Sequence, residues 1–228
     1  DLLIRLRIGY DTESGRHVGK TIMGFIRDVA DKESEKIAEE RGAFPAWDTS
    51  DYAESGQKIR NACRLTVAPT GTISMLADTS SGVEPTFALA WKKMNILEGE
   101  TLYYVNKYFQ RDAEKYRFYS DSLMDHISNG GSIKDRTDVP VWVKEVYTTA
   151  MDISPEAHVG MQAAFQDACD SGISKTINFA NDATLEDVYT AYMLAWESAC
   201  KGITVYRSGS RDKEVLVKAD SDSQPVLQ

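Results

Sequence analysis

Cysteine is scarce in this 228-residue chain: Cys63, Cys169 and Cys200 are odd in number, far apart and form no C-x-x-C pair. A secreted disulfide framework shows an even, regularly spaced set, so these read as reduced thiols in a reducing compartment. Histidine is equally sparse. His17, His126 and His158 have no cysteine or second histidine at ligand spacing, which supports no zinc site. Positive charge is in deficit, with 26 Lys plus Arg against 35 Asp plus Glu and a formal net charge of −9. That balance argues against nucleic acid or a membrane surface as partner, since either calls for a basic patch. No apolar run approaches the roughly 20 residues of a membrane span, and no basic start leads into the apolar stretch of a signal peptide. The expectation is a soluble, cytoplasmic protein. With 42% hydrophobic and 27% charged residues, the chain can bury one good core without a metal or disulfide staple.

The chain reads as part of something longer. Asp1 to Leu6 is a helical apolar pattern without a lead-in, and the last residues, Ala219 to Gln228, are mostly polar and aperiodic, as a linker is. The expected division is a domain over 1–215 and a polar tail over 216–228. Val18, Ile22, Phe25, Ile26 and Val29 fall on one helical face. Arg64 to Ala68 alternates like a short strand that Pro69 stops. Thr101 to Asn129 reads as helix, ending at Gly130-Gly131, and Pro140 opens another over 141–151. Ser154 and Pro155 start a helix with Ala157, Met161, Ala164, Phe165 and Ala168 as its buried stripe. Ser174 to Phe179 is a candidate strand. Thr184 and Asp187 have capping-box spacing, ahead of an apolar face of Val188, Tyr192, Ala195, Trp196 and Ala199. Gly202 stands where a C-terminal glycine belongs, followed by the β-branched run Ile203 to Tyr206. Helix then strand, repeated, predicts an α/β fold with buried parallel strands.

Three strand ends could carry chemistry. Ala68-Pro69-Thr70-Gly71-Thr72-Ile73-Ser74 offers hydroxyls, a glycine that permits close backbone approach and amides able to form an anion-binding nest. A helix opening at Ile73 and Ser74 would add its dipole. The same residues also suit an ordinary turn whose hydroxyls satisfy local backbone groups. Ser174-Lys175-Thr176-Ile177-Asn178 places a lysine that could face an anion or simply be solvated. Tyr206, in the strand ending Tyr206-Arg207, could be a core aromatic. Cys63 reads as a buried small residue, and Cys169 and Cys200 as packing.

Taken in order, these segments resemble one family. Arg60-Asn61-Ala62 with Leu65 to Ser74, then Ser80 to Pro85, Asp152 to Glu156, Met161 to Gln166, Ser174 to Asn178, Asn181 to Thr184, Lys201 to Arg207 and Gly209 to Arg211 resemble the adenosylcobalamin-dependent, class II ribonucleotide reductases. The resemblance implies the C-terminal portion of a ten-stranded α/β barrel. It implies reduction of ribonucleotides, ribonucleoside diphosphates by the nearest-looking subgroup, through a cobalamin-initiated thiyl radical, for deoxyribonucleotide and DNA synthesis. It further implies a substrate-phosphate loop at Pro69, Thr70, Gly71, Thr72, Ile73 and Ser74, with Lys175, Asn178 and Tyr206 lining the active site. The implied partners are the ribonucleotide, the N-terminal barrel segments, a thioredoxin- or glutaredoxin-type reductant and a second copy in a homodimer.

The resemblance also shows what is missing. No segment matches the finger loop with its radical cysteine, the upstream cysteine pair or the C-terminal cysteine tail, so no catalytic residue is expected in this chain. Ala180 stands where relatives commonly have proline, and Cys63 where a small hydroxyl residue is usual. The diiron class needs adjacent tyrosines at the strand matching Ile203 to Arg207, which here holds Tyr206 alone. Tyr103-Tyr104 lies about a hundred residues too early and reads as helix packing. Two alternatives stand beside this: a non-redox phosphate-binding or assembly module, and a large-chain fragment of the diiron class.

Overall fold

A computed structural model describes residues 1–96 and 100–210 of the chain. The N-terminal pattern forms α1 (Leu2–Leu6), and α2 (Glu13–Arg41) follows once the Thr12 hydroxyl accepts the Gly15 amide at 3.0 Å. A short helix, α3 (Asp51–Ser55), sits in the connection to the first extended segment, and α4 (Gly71–Leu76) follows Pro69 and Thr70. Next come an antiparallel hairpin, β1 (Ala90–Ile96) and β2 (Glu100–Val105), and α5 (Lys107–Lys115), α6 (Asp121–Ser128) and α7 (Val141–Val146). The chain then runs α8 (Pro155–Gln166), β3 (Thr176–Phe179), α9 (Leu185–Glu197) and β4 (Thr204–Arg207).

β3 and β4 pair in parallel, Thr176 with Thr204 through Phe179 with Arg207. The segment read as a strand over 64–68 joins them through one parallel bridge, Val67 with Ile173, flanked by Ser171 N–H to Leu65 O (3.1 Å) and Ser174 N–H to Val67 O (3.0 Å). Ile177 and Phe179 are buried with Val159, Ala191 and Ala195 of α8 and α9, so one face of the parallel pair is covered by helices. A second cluster joins Met23 of α2 to Val83, Met161, Cys169 and Ile173. A third, Phe109, Leu123, Ile127, Val143 and Tyr147 among its members, holds α5–α7 together.

Several expectations need correction. The helix expected from Thr101 begins only at Lys107; Glu100–Val105 is β2, and Tyr103-Tyr104 lies in that strand. Its partner β1 has no counterpart in the sequence reading. α7 stops at Val146, short of Met151. The Val18–Val29 stripe is helical, but α2 buries Gly15, Gly19 and Met23 and leaves Phe25, Ile26 and Val29 exposed. Gly19 explains the choice, because a side chain there would fall 2.6 Å from the Phe165 ring and 3.2 Å from Met161 Sδ. The two helices meet where there is no side chain.

In α8 the deepest residues are His158, Val159, Met161, Gln162 and Gln166, polar groups included, because α2 packs on one side and β3 and α9 on the other. α9 buries Ala191 and Ala195, and Tyr192 and Trp196, expected inside, are exposed. Its left-handed residue is Ala199 (φ 56°), not Gly202. Cys63 is exposed, with Sγ 3.0 Å from Ser171 Oγ; Cys169 is buried as expected and Cys200 half-buried. The tail over 216–228 lies outside the described residues.

Candidate functional site

The extended segment that leads into Pro69 is anchored at its start by Asp170. Its Oδ2 accepts the amides of Arg64 (2.6 Å) and Leu65 (3.0 Å), and its Oδ1 meets Arg27 Nη1 at 2.9 Å. Burial alone would raise this carboxyl, but the two amides and the Arg27 and Arg64 guanidinium groups outweigh it and hold it below its ordinary value. At the other end Pro69 cannot donate to a ladder. Thr70 then takes the left-handed conformation (φ 51°) and turns the chain into α4.

The helix starts at Gly71, two residues earlier than expected. Its first turn has no side-chain cap, and the first helical bond is Ser74 N–H to Thr70 O at 2.9 Å. The amides of Gly71, Thr72 and Ile73 precede that bond, as first-turn amides do. Gly71, Thr72 and Ile73 are exposed, Ser74 is buried, and nothing lies within 4 Å of where a Gly71 side chain would be. The arrangement offers a polar, uncharged ledge of N–H donors at the carboxyl end of a strand, where α/β folds place ligands. Hydrogen bonds from such groups to an anion are charge-assisted and so among the stronger ones.

Lys175 is only 1% exposed, not solvated. Burial alternates along 173–179, which puts Lys175 on the helix-covered side with Ile177 and Phe179. Its ammonium donates to His158 Nδ1 (2.8 Å), to Glu84 Oε2 (3.1 Å) and to Thr176 O (2.9 Å). Burial lowers its pKa and Glu84 opposes that. His158 Nε2 donates to Ala150 O at 2.9 Å, which fixes the tautomer with a lone pair on Nδ1 toward the lysine. Burial first, and the neighbouring Lys175 charge second, push His158 down to about 4. Glu84 and His158 did not stand out in the sequence, because their partners lie 91 and 17 residues away from them.

Asn178 and Tyr206 sit on the opposite side. They are register partners in the parallel pair, both half-buried, on the face that carries Thr176 and Thr204. The structure thus separates the three residues expected to line a site. Asn178 and Tyr206 share a polar face, and Lys175 points to the packed side beneath it.

Neither of two surface clefts among the described residues fits a corrin. Their volumes are about 300 and 370 Å³. The first is lined by charged and polar groups including Arg27, Asp167, Asp170 and Lys201, the second by Asp11, Lys134, Lys144 and Glu145. Neither offers a broad apolar floor. Among the described residues no group of three or more His, Cys, Asp or Glu could hold a metal ion, and no helix is long and apolar enough to cross a membrane.

Comparison with known proteins converges on one family. The model of the ribonucleotide reductase barrel domain matches residues 1–59 and 55–206. A vitamin B12-dependent ribonucleoside-diphosphate reductase of Thermoplasma acidophilum is 43% identical over 224 residues, 98% of this chain and 29% of that protein. One from Mycobacterium tuberculosis is 42% identical over 219 residues, 96% of this chain and 31% of that protein. The chain therefore spans under a third of the length of these relatives. A solved class Id ribonucleotide reductase alpha subunit of Actinobacillus ureae superposes with a TM-score of 0.75 at 21% identity, covering 91% of this chain and 37% of that one, which shows a shared fold. The parallel strands with their helical cover are thus part of the reductase α/β barrel, and the chain belongs to the ribonucleotide reductase barrel-domain family.

Proposed function

We propose that this chain is the phosphate-holding part of the barrel of a cobalamin-dependent ribonucleotide reductase acting on ribonucleoside diphosphates, and that it works only with the rest of that polypeptide. The observation that carries the reading is the Pro69–Ser74 ledge: exposed amides and the Thr72 hydroxyl at a strand's carboxyl end, in a chain 42–43% identical to B12-dependent diphosphate reductases. The ledge positions the substrate. Held by its phosphates, the ribose meets the reactive centre with few degrees of freedom left. Asn178 and Tyr206 line the floor beside it, and Lys175 supports β3 from behind.

Exposed apolar groups support the partial-barrel reading. Ile73 is 67% exposed, Leu76 85%, Leu185 90% and Trp196 74%. Such clustered exposure on two helices marks surfaces that pack against more protein, here the remaining barrel segments. Adenosylcobalamin belongs to the complete enzyme and supplies radical initiation there; its cradle lies in the rest of the polypeptide. A dithiol protein reductant and a homodimer complete the assembly. The single Tyr206 in β4, with Val205 and Arg207 beside it, favours the cobalamin class over a class that relays a radical through adjacent tyrosines.

The test is steady-state reduction by the full-length polypeptide. A ribonucleoside diphosphate, a dithiol and adenosylcobalamin are expected to suffice, and Thr72→Ala to lower kcat/KM by about one to two orders of magnitude, the loss of one hydrogen bond to a charged phosphate. Full activity without cobalamin but with a diiron subunit, or wild-type kinetics for Thr72→Ala, overturns the reading.

A further inference from the structure

The loop offers three side-chain hydroxyls, and the structure shows two of them already committed. Ser81 Oγ donates its one proton to Pro69 O at 2.6 Å, since a carbonyl can only accept. Thr70 Oγ1 lies 3.2 Å from Ser81 Oγ, so its proton runs to Ser81. Ser74 Oγ donates to Gly71 O at 2.8 Å. Thr72 alone keeps a hydroxyl with no hydrogen-bond partner among the described residues.

The segment that supplies Ser81 is itself fixed at several points. Gly82 adopts φ 49°, and a side chain there would sit 3.1 Å from Ala68 O and 3.6 Å from Thr70 Oγ1, so this backbone lies directly against the strand exit. Val83 is buried between Val67's strand and α2's Met23, and its carbonyl accepts from Tyr10 at 2.6 Å. Glu84 then spans to β3, taking the Thr176 amide on Oε1 (2.6 Å) and the Lys175 ammonium on Oε2 (3.1 Å). Four consecutive residues thus connect the loop to the strand bearing Asn178.

We propose that Ser81, Gly82 and Glu84 form a strut that sets the Pro69–Ser74 loop in register with β3. Ser81 is then a positioning residue for the substrate, Thr70 and Ser74 shape the loop, and Thr72 is its side-chain donor to the ligand. This rests on the phosphate-loop reading above. The strut works through geometry. It fixes the distance between the ledge that takes the phosphates and the polar strand face that meets the remainder of the nucleotide, and a shift there weakens binding before it alters chemistry.

The experiment is steady-state kinetics of the full-length enzyme with a ribonucleoside diphosphate, on Ser81→Ala, Ser81→Thr, Gly82→Ala, Thr72→Ala and the Ser81→Ala/Thr72→Ala pair, with thermal midpoints measured alongside. Ser81→Ala is expected to raise KM about tenfold with kcat changed by less than about twofold. Ser81→Thr restores KM, and Gly82→Ala gives the same KM-weighted loss as Ser81→Ala. The double variant loses clearly less than the product of the two single losses, because both act on one contact. Wild-type behaviour of Thr72→Ala sinks the phosphate-loop reading itself. An impaired Thr72→Ala beside a wild-type Ser81→Ala or Gly82→Ala, losses that simply multiply, or a Ser81→Ala defect that Ser81→Thr does not rescue overturns the strut and leaves the loop assignment standing.

Discussion

Lowering the pH from 7 to 4 is expected to unlock the packed side of β3 through one residue, His158. The imidazole, carried on α8, is fully buried, donates through Nε2 to Ala150 O and accepts from Lys175 at Nδ1. Protonating Nδ1 would remove that acceptor and set two cations 2.8 Å apart, with Glu84 the nearest compensating charge. The native imidazole therefore holds its proton less tightly, at about 4 against an ordinary 6.5. Because this folded value is depressed, the unfolded chain binds the extra proton first. The stability conferred by the neutral ring is complete above about pH 6.5 and is lost as pH falls toward 4. At roughly 1.4 kcal/mol per tenfold change in proton affinity, the loss comes to about 3 kcal/mol. Asp138, Asp170 and Asp187, also depressed, lose most of their contributions below their ordinary 3.8 and begin to do so near about pH 5, so the fall between 6.5 and about 5 belongs chiefly to the histidine. The assay is urea unfolding of the full-length protein at half-unit pH steps, wild type against His158→Gln, with the imidazole titration followed by NMR. The variant is expected to be less stable at pH 7 and to have a flatter profile. An imidazole titrating near 6.5, or an undiminished slope in His158→Gln, would falsify this account.

Gly71→Val separates ligand space from folding: nothing lies within 4 Å of the added carbon and Gly71 does not need positive φ, so the thermal midpoint should hold while kcat/KM for a diphosphate falls at least as far as in Thr72→Ala. Asp170→Asn weakens the acceptor for the Arg64 and Leu65 amides and removes one of the two carboxylates that Arg27 and Arg64 share, leaving Asp31 as their counter-charge; a loss of about 2 kcal/mol is expected in denaturant unfolding, and a change under about 0.5 kcal/mol would show the anchor to be idle. Cys169→Ala should leave turnover within about twofold and lower stability by about 1 kcal/mol, since the thiol is buried beside Met23, Met161 and Ile173 and burial raises its pKa away from the reactive thiolate; abolished reduction would place it in the chemistry instead.

Local signals were legible in the sequence wherever neighbouring residues alone decide the outcome. Ser154 with Pro155 and Thr184 with Asp187 start α8 and α9 as their capping chemistry requires, and the β-branched run after Gly202 forms β4. The order of motifs was enough to reach the reductase family, and the Pro69–Ser74 loop was visible as hydroxyls around a glycine. Other features depended on distant partners. Which stripe of α2 is buried was settled by Gly19 meeting Phe165 and Met161, over 140 residues away, and the stripe with the larger side chains lost. Lys175 reads as a surface lysine until Glu84 and His158 arrive from two other segments. Thr70, Thr72 and Ser74 look equivalent in a row, and only the approach of Ser81 and the turn into α4 show which hydroxyl is left to donate. Helical periodicity and caps act over a few residues, so composition carries them. Burial, proton placement and the division of labour within the loop depend on which segments the fold brings together, and no run of neighbours encodes that.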